Sequence, residues 1–87
     1  MPLVVERGRE THAGLVRLSR RDLQLAHLVT QGRINKEIGF LLGITEGTVK
    51  IYMSTLFAKL GVANRAELSA WATRHDEEIG RELGTAP

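Results

Sequence analysis

The sequence predicts an all-α fold: four short helices around one small core. Three observations carry this. Apolar residues recur at helical spacing, and no stretch alternates apolar and polar residues with period two over a useful length. Capping residues and glycines punctuate the chain at helix-length intervals. With 87 residues, of which 43% are hydrophobic, the chain can bury one small core and leaves little room for a second.

Residues 1–17, with Pro2, Gly8 and Gly14, read as an N-terminal arm or linker with an extended Leu3–Val5. Ser19 opens the first helix. Its hydroxyl can accept from the amide of Asp22 while the Asp22 carboxylate reaches back, a shortened capping box. Asp22, Leu25, Ala26, Leu28 and Val29 follow at helical spacing, and Gly32 can supply the left-handed residue that ends a helix over about Arg20–Gln31. In the second helix Ile34, Ile38, Leu41 and Leu42 share a face until Gly43. Thr45 is a good N-cap for a third helix over about 46–60, in which Val49, Met53, Leu56 and Leu60 form a buried stripe that stops at Gly61. Asn64 with Glu67 three residues on is another capping box, and Leu68, Trp71, Ala72 and His75 form the stripe of a fourth helix. The folded unit is therefore placed at residues 18–76, with residues 77–87 as an acidic C-terminal tail.

The formal charge of +2 conceals an asymmetry. From Arg17 to His75 nine basic residues face four acidic ones, giving +5, whereas the last twelve residues carry four acidic residues against Arg81, giving −3. A basic body favours polyanionic partners through long-range attraction. The absence of cysteine excludes thiolate zinc sites, disulfide frameworks and cysteine nucleophiles. The longest nearly apolar stretch, Ile38–Ile44, is too short to span a bilayer, and no basic-then-apolar leader opens the chain. A cytoplasmic location with no membrane partner is the expectation. His27, His75 and the carboxylates are scattered over different helices without catalytic or metal-ligand spacing. We therefore expect no enzyme activity, no catalytic residues, no metal, no cofactor and no small-molecule ligand within this chain.

The informative segment is the joint between the second and third helices, Asn35–Leu60. Two helices meeting steeply through a short turn need a small residue where their backbones touch, a residue tolerant of positive φ in the turn, and apolar anchors on either side. Gly39, Gly43, and then Ile44 and Val49 supply these in order. That is the helix-turn-helix pattern.

With the third helix's stripe turned inward, Gly47, Lys50, Ile51, Ser54 and Ala58 point outward together at about 100° per residue. Such a face is narrow enough for the major groove of duplex DNA. There Lys50 can donate to guanine O6 or N7, Ile51 can pack on a thymine methyl, and Ser54 can bond to base or phosphate. Thr45 and Thr48 lie in the first turn, where unpaired amides and the positive dipole end attract a phosphate oxygen. Lys36, in the first turn of the second helix, would meet the neighbouring backbone. These are positioning contacts that carry no sequence information.

The strings "LSRRD", "GRINKEIGFLLGITEGTVKIYMSTLFAKLGV" and "NRAEL" resemble the DNA-binding domain of bacterial LuxR-type (LuxR/GerE/FixJ-like) transcription regulators, a four-helix helix-turn-helix domain. The resemblance runs from about Leu18 to His75. It rests most specifically on Asn35–Ile38, Gly47–Lys50 and Lys59–Val62. It implies an effector domain of the kind found in response regulators, with base contacts at Gly47, Lys50, Ile51 and Ser54. Phosphate contacts would fall at Lys36, Thr45, Thr48, Tyr52, Lys59 and Arg65. A homodimer would form through the fourth helix at Leu68, Trp71, Ala72 and His75. Core packing of Trp71 against the first helix is the equal alternative.

Four positions depart from the family's usual pattern. Ile34 stands where a Ser or Thr is common, which removes a hydroxyl cap at a cost of ~1 kcal/mol unless Asn35 or water substitutes. Asp22 replaces a Glu, Ala26 a larger aliphatic, and Gly39 an Ala, the last costing on the order of 1 kcal/mol of helix propensity. The rival functional class is a protein-interaction module, docking on RNA polymerase or a partner regulator, that keeps the scaffold without binding DNA.

Overall fold

A computed structural model describes residues 4–6 and 15–84, with side chains from residue 18 onward. Two three-residue strands, β1 (Val4–Glu6) and β2 (Leu15–Arg17), pair antiparallel with Val5 opposite Val16. Five helices follow: α1 (Arg20–Thr30), α2 (Asn35–Leu42), α3 (Glu46–Leu60), α4 (Arg65–Arg74) and α5 (Asp76–Leu83). The all-α expectation holds for the core-bearing part, with one helix more than the four expected. Within the arm, Val4 and Val5 are extended as expected, whereas Leu3 lies outside the described residues.

The helix starts follow from their caps. At α1 the Ser19 hydroxyl accepts from the Asp22 amide at 3.0 Å, and the Ser19 amide donates to the Asp22 carboxylate at 2.9 Å. At α2 the residue in the cap position is Ile34, which has no side-chain acceptor. Its amide is instead satisfied by the Glu37 carboxylate at 3.1 Å, so half of the box survives and Asn35 is free for another task. At α4 the Asn64 side chain accepts from the Glu67 amide at 2.9 Å, while Glu67 reaches the amide of Ala63 at 2.7 Å.

The core is one cluster. Leu18, Leu23, Leu25, Ala26 and Val29 from α1 and its approach meet Ile38 of α2, Val49, Met53, Leu56 and Leu60 of α3, and Leu68, Trp71 and Ala72 of α4. The α3 stripe is buried as the spacing predicts. The α2 face is not the predicted one: Ile38 is buried and Leu42 half-buried, but Ile34 and Leu41 are exposed. Gly39 takes their place inside, so the side of α2 that meets α3 is centred on Ile38, Gly39 and Leu42 rather than on the most apolar arc of the wheel.

Gly39 is small for a steric reason. A Cβ built on it would sit 2.7 Å from the carbonyl oxygen of Ile44, with the Thr45 and Glu46 backbone at 3.3 Å. The turn therefore presses directly on α2, and the propensity cost expected for Gly39 is the cost of that close approach. Gly43, at φ +73°, reverses the chain between the two helices.

The expected acidic tail is corrected by α5. Ile79 is 1% exposed and Leu83 half-buried, four residues apart on one face, and both join the core. The Arg20 guanidinium closes this helix by donating to the carbonyls of Glu82 and Leu83 at 3.3 and 3.2 Å. The three acidic residues of the first turn suit the positive end of the helix dipole. The acidic residues face water while the buried pair packs on α1, and residues 85–87 lie outside the described part.

Candidate nucleic-acid interface

α2 and α3 form the helix-turn-helix, and α3 presents the candidate reading surface. Gly47, Lys50, Ile51, Ser54 and Ala58 are all exposed, and Ile51 retains 66% of its surface. Opposite them Val49, Met53, Leu56 and Leu60 are spent in the core, which fixes the rotation of the helix about its axis. Gly47 sits in open space: an added Cβ would meet only the Thr45 hydroxyl at 3.9 Å.

The first turn of α3 is preset. The Thr45 hydroxyl accepts from the Thr48 amide at 3.1 Å and pairs with the Thr48 hydroxyl at 2.9 Å. Thr45 is therefore the N-cap of α3, and the remaining unpaired amides of the first turn face outward. Lys36 stands exposed in the first turn of α2.

The two flanks of α3 differ. On one side Lys50 and Ser54 share a groove with Asn35, Phe57 and Arg65. Here Arg65, at the start of α4, donates to the Asn35 side chain at 2.8 Å and to the carbonyl of Arg33. Those bonds tie α4 to the start of α2, so Arg65 braces the motif. On the other side Ile51, Tyr52, Thr55 and Lys59 share a groove with Ser19, Arg21 and Asp22 of the α1 start. There Lys59 is paired with the nearly buried Asp22 carboxylate at 2.7 Å, which pins α3 to the cap of α1. The Arg21 guanidinium lies over the Tyr52 ring at cation–π distance, 5.9 Å from its centroid.

Of the residues expected at a dimer contact, Leu68, Trp71 and Ala72 are buried within the protein, Trp71 to 8% exposure. His75 is half-buried, stacked on the Trp71 ring at 4.5 Å, with its Nδ1 2.8 Å from the Trp71 carbonyl. The packing alternative for Trp71 is the one realised. On another side of α4, Ala66, Ala70 and Thr73 are exposed at helical spacing.

Sequence reasoning missed Arg21 and the intramolecular ties of Lys59 and Arg65. No local pattern links residues that far apart in the chain. Among the described residues there is no group of three or more His, Cys, Asp or Glu placed to hold a metal, and no helix long and apolar enough to cross a membrane.

Comparison with known proteins agrees with this geometry. The family model described as "Bacterial regulatory proteins, luxR family" matches residues 16–72. The chain is 38% identical over 58 residues to the transcriptional regulatory protein LiaR of Bacillus subtilis, covering 67% of this chain and 28% of that protein. It is 42% identical over 53 residues to the two-component response regulator PprB of Pseudomonas aeruginosa, covering 61% and 19%. To the nitrate/nitrite response regulator protein NarL of Escherichia coli it is 33% identical over 69 residues, covering 79% and 31%. The chain thus spans less than a third of the length of these relatives.

Proposed function

Because the chain belongs to the luxR family of bacterial regulatory proteins, we propose that it is an effector domain that regulates transcription by sequence-specific binding to double-stranded DNA, with α3 in the major groove. The observation that carries this reading is the exposed face of α3. It is narrow, bears Lys50 and Ile51, and lies opposite a stripe committed to the core. Lys50, Ile51 and Ser54 read base edges, and Gly47 lets the backbone come close. Lys36, Thr45 and Thr48 seat the motif on phosphates. Tyr52, Lys59 and Arg65 stand beside the same surface, the last two through their structural ties.

Two such domains would bind half-sites about one helical turn apart. The dimer contact we assign to the exposed small residues of α4, Ala66, Ala70 and Thr73, with His75 at the edge, because small side chains allow two helices to approach closely.

A selection on random duplexes tests the reading and returns the operator with its symmetry. Lys50→Ala should relax discrimination at one position by about 1–3 kcal/mol. Lys36→Ala should weaken all duplexes alike and reduce the salt slope by about 1. Equal effects of the two on specificity would contradict the division of roles.

A second reading has its own observation. Phe40 is 86% exposed, beside exposed Leu41 and flanked by Arg33 and Lys36 on the outer side of α2. A protein contact, RNA polymerase included, would explain such a patch. Wild-type protein without salt-steep duplex affinity would favour this reading over DNA binding.

A further inference from the structure

We infer that Arg21, which lies over the ring of Tyr52, is a phosphate clamp on the second wall of the groove that α3 enters, an inference that rests on the DNA-binding reading above. The major groove is about 12 Å wide and an α-helix with its side chains nearly fills it, so a seated helix has a phosphate backbone along each flank. The Lys50 flank is bordered by the start of α2, where Asn35 lines the groove and exposed Lys36 follows it. The other flank, where Tyr52 lies, is bordered by the start of α1.

Among the described side chains, three basic residues stand at that end, and two are committed. Arg20 closes α5 through the Glu82 and Leu83 carbonyls. Lys59 is paired with Asp22. Arg21 makes no hydrogen bond or ion pair among the described residues; its guanidinium lies over the Tyr52 ring, 5.9 Å from the centroid, and Tyr52 itself is 38% exposed. A cation–π approach at this distance engages none of the guanidinium N–H donors, which therefore stay open to a phosphate. Exposed Ile51 and Thr55 line the same groove, which places the clamp beside the base-reading face.

The test is the salt dependence of affinity for a mixed-sequence duplex, measured for wild type, Arg21→Ala, Arg21→Lys, Tyr52→Leu and the double variant Arg21→Ala/Tyr52→Leu. Each phosphate contact contributes about 0.9 to the slope of log K against log salt, so the wild-type advantage over Arg21→Ala should shrink about three- to fourfold between 50 and 200 mM salt. Arg21→Lys should restore the wild-type slope, because it keeps the charge. Tyr52→Leu should weaken binding, and the double variant should bind no more weakly than Arg21→Ala. A wild-type slope in Arg21→Ala, with wild type binding DNA normally, would overturn the clamp alone. Absence of salt-dependent duplex binding by the wild type would instead overturn the reading on which it rests. Thermal melting of each variant separates loss of contact from loss of fold.

Discussion

Ile79→Ala tests whether the acidic C-terminal segment is part of the folded unit. Ile79 is 1% exposed and packs with Leu83 against α1, so the substitution removes three buried carbon atoms and leaves a void or a loosened helix. Isoleucine-to-alanine changes in cores cost about 2–5 kcal/mol, with the spread set by how far the site collapses. Here the site lies in an eight-residue terminal helix, which is too short to persist alone, so α5 can undock once its anchor is cut. The loss is bounded by the docking free energy of α5 and belongs at the lower end, about 2–3 kcal/mol. For a domain of this size that corresponds to a fall in Tm of roughly 10 °C or more. Urea and thermal unfolding read it directly, with Glu78→Ala as the control, since an exposed neighbour should stay within about 0.5 kcal/mol of wild type. Duplex affinity should persist at temperatures where both variants are folded. An Ile79→Ala protein that melts with the wild type would refute the docking of α5.

Gly39→Val should destabilise the fold by about 2 kcal/mol or more, because the new side chain meets the Ile44 carbonyl rather than a yielding side chain; equal Tm values would show that the α2–α3 turn is looser than described. Asp22→Ala removes both a cap partner and the carboxylate paired with Lys59, a combined loss of about 2 kcal/mol once the solvent screening of the part-exposed lysine is allowed for. Lys59→Ala alone should cost less, and a double-mutant cycle by chemical denaturation should give a coupling near 1 kcal/mol or below. Gly47→Ala should raise stability by about 0.5 kcal/mol, since its Cβ meets nothing closer than 3.9 Å and alanine suits a helix better than glycine; a lower Tm would mean that the glycine serves the free protein and is not there for close approach.

Much of the helix-turn-helix was legible because its determinants are local. Ser19 and Asp22, Thr45 and Thr48, and Asn64 and Glu67 lie three residues apart, and a cap can be read wherever both partners sit in one short window. The α3 stripe was legible for the same reason: once Val49, Met53, Leu56 and Leu60 are inward, the angle per residue places Lys50, Ile51 and Ser54 outward. The same wheel misjudged α2, whose most apolar arc includes Ile34 and Leu41. Which side of a helix is covered depends on the neighbour, and α3 covers the side that carries Gly39.

The tail shows the limit from the other direction. Its charge was read correctly, but Ile79 and Leu83 were too sparse a pattern to signal a helix until α1 provided a surface for them and Arg20 a cap for their last carbonyls.

The sequence by itself determined where the first four helices lie and which face of the third carries the lysine, because caps, glycines and periodicity act within a turn or two of the chain. Only the tertiary structure decided that Lys59 and Arg65 are tied to distant partners, that Trp71 belongs to the core, and that Arg21 stands beside Tyr52. Those outcomes depend on which helix surfaces meet, and that is set by packing shape and the competition for buried area among segments remote in the chain.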